Sequence, residues 1–209
     1  MGPLFPRWTN TFFRLVLVMA LATPAAAIAA LMLYVRSPLI TRTGVLVDQP
    51  VQFDHRHHTS DVGIDCRYCH FSAETSAFAG IPDTGTCMGC HAQVWNKSPK
   101  LALVRQAYFT QTPLRWNRVH LVPDFVYFDH SIHLAKGVGC ASCHGRVDQM
   151  AVVQKTAPLT MQWCLECHRN PSAHLRPLDQ ITQMAWQPRE GLLSTHDVRT
   201  RDSCTTCHR

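Results

Sequence analysis

The sequence contains no cysteine outside one repeated pentapeptide. A zinc ribbon, a redox Cys-x-x-Cys pair or a disulfide framework could explain one or two cysteine pairs. None of these requires a histidine directly after the second cysteine, yet the histidine follows in all five copies. The histidine in every copy therefore counts against all three explanations. The copies, numbered here as motifs 1 to 5, are Cys66/Cys69/His70, Cys87/Cys90/His91, Cys140/Cys143/His144, Cys164/Cys167/His168 and Cys204/Cys207/His208.

The Cys-x-x-Cys-His spacing is that of covalent haem attachment. Two thiols three residues apart reach the two vinyl groups of one porphyrin as thioethers, and the next histidine coordinates the iron from one face. The sequence therefore predicts five haem c groups, with the ten cysteines as attachment points and the five motif histidines as proximal iron ligands.

Lysine is also scarce, with only four residues against a total of 20 Lys and Arg. The formal net charge of +6 would on its own suggest a nucleic-acid or acidic-membrane partner. Ten propionates and five ferric cores change this balance to about +1 when oxidised and about −4 when fully reduced. Arginine suits bidentate pairing with buried carboxylates such as propionates, so we expect no nucleic-acid partner.

Charge is absent from the 21-residue segment 15–35, which is long enough to cross a bilayer. Pro24 and the small residues 25–27 after an apolar run also imitate a signal peptide whose cleavage would remove residues 1–27. The apolar stretch beyond that site favours an uncleaved anchor, segment 1–42 with a helix at about 12–36. Either way the remainder is exported. The uncleaved anchor predicts a single-pass inner-membrane protein with its haem domain on the periplasmic side.

Residues 43–209 provide about 33 residues per haem, too few to enclose five porphyrins in an ordinary core. We therefore expect the haems to form most of the interior of one exported domain. Pro-rich stretches without periodicity, 96–123 and 170–189, predict long irregular connections. The predicted fold class is a mainly α and irregular multihaem cytochrome c, with one N-terminal transmembrane helix and little sheet.

A duplicated segment organises this domain. Phe-Asp-His-x-x-His at 53–58, before motif 1, matches 128–133, before motif 3, with one residue of slippage. In each copy a second motif follows 21 or 24 residues after the first. The sequence therefore predicts two two-haem units, at about 53–95 and 124–170, and a lone C-terminal haem at about 196–209.

Eight histidines lie outside the motifs, and five irons need sixth ligands. The first four candidates occupy equivalent repeat positions; they are His55, His58, His130 and His133. Phe-x-His-x-x-His segments are similar to those of small class III multihaem cytochromes, where such histidines ligate iron from the distal side. His57, between two candidates, better fits a surface or hydrogen-bonding role.

The fifth distal ligand is less constrained by the sequence. We favour His120, and the alternatives that stay open are Met150, Met161, His174 and His196. A methionine ligand would raise the potential of its haem relative to bis-histidine haems.

Four longer segments resemble a known family. They are GIDCRYCH at 63–70, SAFAGIP at 76–82, PDFVYFDHSIH at 123–133 and QWCLECHRNP at 162–171. These segments resemble the pentahaem cytochrome c subunit of bacterial alternative complex III, a quinol:electron acceptor oxidoreductase. The resemblance implies a large iron–sulfur subunit similar to molybdopterin enzymes, polytopic quinol-binding subunits, and a monohaem cytochrome or another soluble acceptor as partners.

The resemblance implies an electron-transfer subunit between quinol oxidation and a soluble carrier or terminal oxidase. If every iron carries two protein ligands, no position is open for substrate, so we expect no catalytic residue on this chain. Pentahaem nitrite reductases typically replace one motif histidine with lysine, and here all five are histidine. The alternative is a stand-alone, membrane-anchored multihaem quinol dehydrogenase, although one helix makes a poor quinone pocket.

The anchor can be tested by carbonate washing. The full chain should stay in the membrane fraction, because 21 uncharged residues bury their apolar surface in lipid. Replacing residues 1–42 with a cleavable signal should release a soluble haem domain. Mature protein that starts near Ile28 would show that the segment is a signal peptide.

Overall fold

The computed structural model describes residues 4–187 and 196–208, whose contacts fall into two units. The first unit is Met1–Arg42 and the second is Thr43–Arg209.

The first unit contains one long helix, α1 (Trp8–Arg36), and one short helix, α2 (Pro38–Thr41). Helix α1 begins four residues earlier than expected, just after Pro6, whose carbonyl accepts from the Thr9 amide (3.1 Å). Pro24 lies inside α1 and lacks an amide donor. An 18-residue window within the segment Trp8–Thr41 has a mean hydropathy of 2.3. The segment could cross a bilayer by its length and composition, as a signal sequence also could.

The second unit is built from short helices and irregular connections. Most helices are one or two turns long. The α-helices are α3 (Cys66–Cys69), α4 (Thr84–His91), α5 (Ala102–Phe109), α6 (His130–Ala135), α7 (Ala141–His144), α8 (Met161–Arg169) and α9 (Cys204–Cys207). Single 3₁₀ turns lie at Pro99–Leu101, Val147–Gln149, Pro171–His174 and Leu178–Gln180.

Extended structure is nearly absent from the described ranges. The only ladder pairs there are two isolated antiparallel bridges, Leu46 with Gln154 and Val138 with Leu175. This confirms the predicted mainly helical and irregular fold class with little sheet. The bridge at Val138 brings the segment after α8 beside the start of motif 3.

The apolar core consists of two small clusters. One contains Val51, Met88 and Val104, and the partly buried Cys87 of motif 2 packs against it. The other contains Ala73, Leu134 and Ile181, with Cys140 of motif 3 at its edge. One cysteine of motif 2 and one of motif 3 thus pack against the two apolar clusters.

The duplicated segment has nearly the same geometry in both copies. The Phe53 ring centroid lies 4.7 Å from that of His55 and 4.2 Å from that of His58. The corresponding distances from Phe128 are 4.7 Å to His130 and 4.6 Å to His133. Each second histidine donates from Nδ1 to the carbonyl of the aspartate four residues earlier, at 2.9 and 2.6 Å.

The extra residue in the first copy is accommodated by a change of helix type. The second copy continues as α6, whereas the first continues as a π-helix, Arg56–Asp61. A π-turn holds one more residue per hydrogen-bonded ring than an α-turn. The insertion therefore widens one turn and leaves the positions of both histidines relative to the phenylalanine almost unchanged.

At Gly137 the segment before motif 3 lies very close to the segment that contains Arg176. Its φ is +78°, and its carbonyl accepts from the Arg176 amide (2.9 Å). A β-carbon here would lie 2.7 Å from the Arg176 carbonyl oxygen and 2.9 Å from His196 Nε2. The position therefore requires glycine both for its backbone conformation and for space.

Replacing Gly137 with alanine should lower the stability of the folded chain by at least about 2 kcal/mol, because left-handed strain and a steric clash add together. Gly63→Ala is the matched control, since Gly63 has the same φ of +78° but open space around it. We expect a cost of about 1 kcal/mol for the control. Equal losses of thermal stability in the two variants would contradict the close approach at Gly137.

Candidate haem-binding sites

Each Cys-x-x-Cys pair spans one helical turn. Motifs 1, 2, 4 and 5 lie on α3, α4, α8 and α9, and motif 3 begins at the residue that precedes α7. Residues i and i+3 project from the same side of a helix. The two thiols of each motif are therefore presented together, as attachment to one porphyrin requires. All ten cysteines are free, and the described residues contain no group of three or more His, Cys, Asp or Glu placed to hold a metal ion.

Aspartates begin two of these helices. The Asp65 side chain accepts from the Arg67 amide at the start of α3, and the Asp83 side chain accepts from the Thr86 amide at the start of α4. Such caps satisfy amide groups that have no partner within the helix. Helix α7 of motif 3 has no side-chain cap.

Four of the five motif histidines donate a hydrogen bond from Nδ1 to a backbone carbonyl. The acceptors are Gly80 for His70 (2.7 Å), Val94 for His91 (3.0 Å), Arg201 for His168 (2.7 Å) and Phe125 for His208 (3.0 Å). This bond fixes the tautomer and the ring plane, and it leaves the Nε2 lone pair free for a metal.

Two histidine pairs face each other at a distance that suits an iron between them. The ring centroids of His58 and His91 are 6.2 Å apart, and those of His133 and His168 are 6.1 Å apart. A metal with a nitrogen ligand about 2 Å away on each side separates the two ring centroids by about 6 Å. In each repeat copy, the second histidine thus faces the second motif of that copy.

Three further histidines surround His144 of motif 3. His130 lies 6.4 Å from it with nearly parallel rings, and His120 lies closer, at 4.3 Å. His55 interacts electrostatically with both His70 and His144. The structure therefore gathers His55, His120 and His130 around the histidines of motifs 1 and 3.

Two of these rings contain buried nitrogen atoms without a partner, Nδ1 of His55 and Nε2 of His120. Burial lowers the pKa of both side chains to about 4, and that of His144 to about 3. The imidazoles are therefore neutral at neutral pH, the form that ligates metals. Free Nε2 positions, orphaned buried nitrogens and paired thiols together fit covalently bound haem.

The remaining candidates lie elsewhere. His57 is exposed, with Nδ1 3.3 Å from Asp61 and its ring stacked on Trp95. His196 donates from Nε2 to the Arg176 carbonyl (3.0 Å), so this nitrogen is already engaged. Met161 is 70% exposed at the start of α8. Met150 and His174 are partly buried at the ends of 3₁₀ turns.

Motif 5 has a simpler aromatic environment. The ring of Phe125 packs against His208 at 5.8 Å, and no histidine ring stacks on His208 within the described ranges. The Cys207 carbonyl accepts from the Tyr127 amide (2.8 Å). The segment before the second repeat therefore fixes the position of the C-terminal motif.

Contacts between motif cysteines show which motifs are neighbours. Burial raises the pKa of the Cys69 thiol, and the nearby thiols of Cys66 and Cys90 raise it further. Motifs 1 and 2 are thus adjacent. Cys66 also interacts directly with Cys140, which lowers the pKa of the Cys66 thiol and raises that of Cys140. Motif 1 is therefore adjacent to motif 3 as well.

The same contacts continue through the second copy. Burial together with the thiols of Cys167 and Cys164 raises the pKa of Cys143 to about 12, which places motif 3 beside motif 4. Burial and the Cys207 thiol raise the pKa of Cys164, which places motif 4 beside motif 5. The spatial order of the motifs is consequently 2-1-3-4-5, which differs from the chain order.

Two buried charged residues were not singled out from the sequence. Arg176 is 5% exposed and Lys155 is 8% exposed, and they are the only buried Lys, Arg, Asp or Glu residues among those described. Both follow motif 3 in the chain and pack near it. The general excess of arginine over lysine was the only sequence signal, and it does not identify these positions.

Comparison with known proteins finds similarity to cytochromes c. Residues 126–209, which contain motifs 3 to 5, match the model of the family described as cytochrome c7 and related cytochrome c. The match covers less than half of the chain, and it makes that part similar to cytochromes c. The short helices and nearly absent strands of the described residues agree with the predicted mainly helical and irregular fold class.

A curated relative is the multihaem cytochrome c subunit of menaquinone reductase from Nitratidesulfovibrio vulgaris (strain Hildenborough). It is 35% identical to this chain over 98 residues. The alignment covers 46% of this chain and 46% of the relative, so the chain matches about half the length of that protein.

Replacing His133 with alanine should convert one haem from low-spin to high-spin, because the iron loses a distal ligand while its thioethers and proximal histidine remain. The spin state can be followed by electron paramagnetic resonance and visible absorption of the purified chain. His57→Ala is the matched control, since His57 lies on the exposed side of the equivalent segment, and it should leave all low-spin signals unchanged. Identical spectra for folded His133→Ala and wild-type protein would remove His133 from the ligands.

Proposed function

We propose that this chain is a membrane-anchored electron-transfer subunit that carries five haem c groups between a quinol-oxidising membrane complex and a soluble carrier or terminal oxidase. The haems supply one-electron redox chemistry when bound. The observation that carries the proposal is the spatial order of the five motifs, in which each motif borders the next from motif 2 to motif 5.

The histidine geometry supports a role without substrate binding. We assign His58 as the partner of His91 and His133 as the partner of His168, from their ring separations. His55 and His130 are assigned to the irons of motifs 1 and 3, which His120 also approaches. In the described ranges no histidine ring stacks on His208 of motif 5, so the fifth distal ligand stays a prediction. The four irons held by two protein ligands have no open position for a substrate, and we assign no catalytic residue to this chain.

Quinol oxidation is assigned to partner subunits. It requires a pocket at membrane depth with groups that accept two protons. Helix α1 is the only described helix that is long and apolar enough to lie at that depth, and its central part has no ionisable side chain. We therefore propose that α1 tethers the chain, with the haem domain on the periplasmic side of the inner membrane.

The proposed partners are polytopic quinol-binding subunits and an iron–sulfur subunit similar to molybdopterin enzymes, with a monohaem cytochrome or another soluble protein as acceptor. The resemblance to alternative complex III supports this assembly. The name of the curated relative, a menaquinone reductase subunit, supports a link to a quinone pool and favours the reverse direction as a second candidate.

The test uses the full-length chain purified in detergent, with and without its copurifying membrane partners. The isolated chain should bind five haems, all reducible by dithionite, and a quinol analogue should reduce them only at a slow, uncatalysed rate. Addition of the partners should restore rapid reduction that a quinone-site inhibitor blocks. Reoxidation of the dithionite-reduced complex by a quinone analogue would report the reverse direction.

Rapid, saturable and inhibitor-sensitive quinol oxidation by the isolated chain would overturn this assignment. That result would favour the alternative of a stand-alone, membrane-anchored quinol dehydrogenase.

A further inference from the structure

The two buried charged residues of the described chain, Arg176 and Lys155, are both cations, and both lie beside motif 3. Burying a charge is unfavourable unless an opposite charge or a set of hydrogen bonds compensates for it. Neither side chain forms an ion pair with a carboxylate in the described ranges. The interior around motif 3 is therefore electrically positive.

Arg176 is held in place by a defined set of contacts. Its Nη1 donates to the Gln183 carbonyl (2.6 Å), its amide donates to the Gly137 carbonyl (2.9 Å), and its Nε is buried without a partner. A β-carbon on Gly139 would overlap the guanidinium group. The absence of a side chain at Gly139, the residue directly before Cys140, thus lets the positive charge approach the first attachment point of motif 3.

Lys155 lies near the histidine of the same motif, whereas Arg176 lies near its first cysteine. Its charge acts on His120, which lies 4.3 Å from His144 of motif 3. Its backbone carbonyl accepts from the Gly44 amide (2.7 Å), and the neighbouring Gln154 forms a bridge with Leu46. These contacts fix the position of the segment that carries Lys155.

Each of the other motifs has an acidic residue close to it. Asp65 directly precedes Cys66, Glu166 lies inside motif 4, and Asp202 lies two residues before Cys204. Asp83 caps the helix of motif 2. The nearest acid to motif 3 in the sequence is Asp148, which Arg146 already neutralises at 2.6 Å. Asp65 and Asp202 are paired in the same way, with Arg67 at 2.9 Å and Arg169 at 3.7 Å. Among the described residues, motif 3 therefore differs from the other four in having two buried cations beside it that no carboxylate pairs with.

We propose that Arg176 and Lys155 raise the reduction potential of the haem bound at motif 3, so that the electron resides preferentially at the centre of the 2-1-3-4-5 order. This inference rests on the proposed function in that it requires a haem at motif 3. One-electron reduction of that site lowers its charge by one unit, and nearby cations stabilise the reduced form relative to the oxidised form. The donor of that electron is the quinol-oxidising partner, and dithionite takes its place in the assay.

The test is a redox titration of the full-length, haem-loaded chain, followed by electron paramagnetic resonance to resolve individual haems. A unit charge at a distance on the order of 10 Å, with an effective dielectric constant of about 20, changes a one-electron equilibrium about tenfold. Arg176→Gln should therefore shift the reduction equilibrium of one haem about tenfold towards the ferric form, which lowers its potential by about 59 mV.

Three further variants make the result specific. Lys155→Gln should shift the same haem in the same direction, because both cations lie beside motif 3. Arg176→Lys keeps the charge and should shift that haem by less than Arg176→Gln. Arg199→Gln is the matched control, since Arg199 is 77% exposed and lies 3.5 Å from the exposed Asp197, and it should change no potential.

Haem content is measured on each sample. This measurement distinguishes a failure of the proposed function from a failure of the inference. Fewer than five haems in the wild-type chain would overturn the proposed function. Five haems with unchanged potentials in both Arg176→Gln and Lys155→Gln would overturn the inference alone. Shifts in different haems, or an equal shift in all five, would also overturn it. If Arg176→Gln does not fold, the potentials of the Lys155→Gln variant test the inference by the same criteria.

Discussion

The hydrogen bond from an imidazole Nδ1 to a backbone carbonyl is the interaction that orients the candidate haem ligands of the second unit. Seven histidines form it, four in the motifs and three in the duplicated segments, namely His70, His91, His168, His208, His58, His130 and His133. Each bond orients a ring through the backbone, so an irregular chain with little sheet still places its ligands accurately. The acceptors lie both close in sequence, as for His58, and far away, as for His130, whose acceptor Ala77 belongs to the other copy.

The local features of the fold were predictable because they depend on short-range sequence. The Cys-x-x-Cys-His spacing indicated the five segments that could bind haem. The duplicated Phe-x-His-x-x-His segment indicated two copies, and the distances between their aromatic rings agree closely. The one-residue difference between the two copies was visible in the sequence, but the change of helix type that accommodates it was not. A π-helix at Arg56–Asp61 depends on the surrounding packing, which holds both histidines in place while the turn widens.

The long-range features could not be derived from the sequence. The order 2-1-3-4-5 depends on the contact between Cys66 and Cys140, which are 74 positions apart in chain numbering. The burial of Arg176 depends on a segment without periodicity that returns to motif 3 through the Val138–Leu175 bridge. Neither a motif nor a hydrophobic period marks such a return. The position of His120 likewise depends on tertiary packing, because no repeat position specifies it.

The contact between Cys66 and Cys140 joins equivalent positions, since each is the first cysteine of its copy. Within the two copies the spatial order runs second, first, first, second, which is the order of two subunits related by a two-fold axis. The contact therefore has the self-complementary form of an isologous interface in a homodimer, here formed inside one polypeptide. Motif 5 extends only one end of this pseudo-symmetric pair. The two ends of the motif order, motif 2 and motif 5, are thus chemically different. This difference makes the order of the motifs polar.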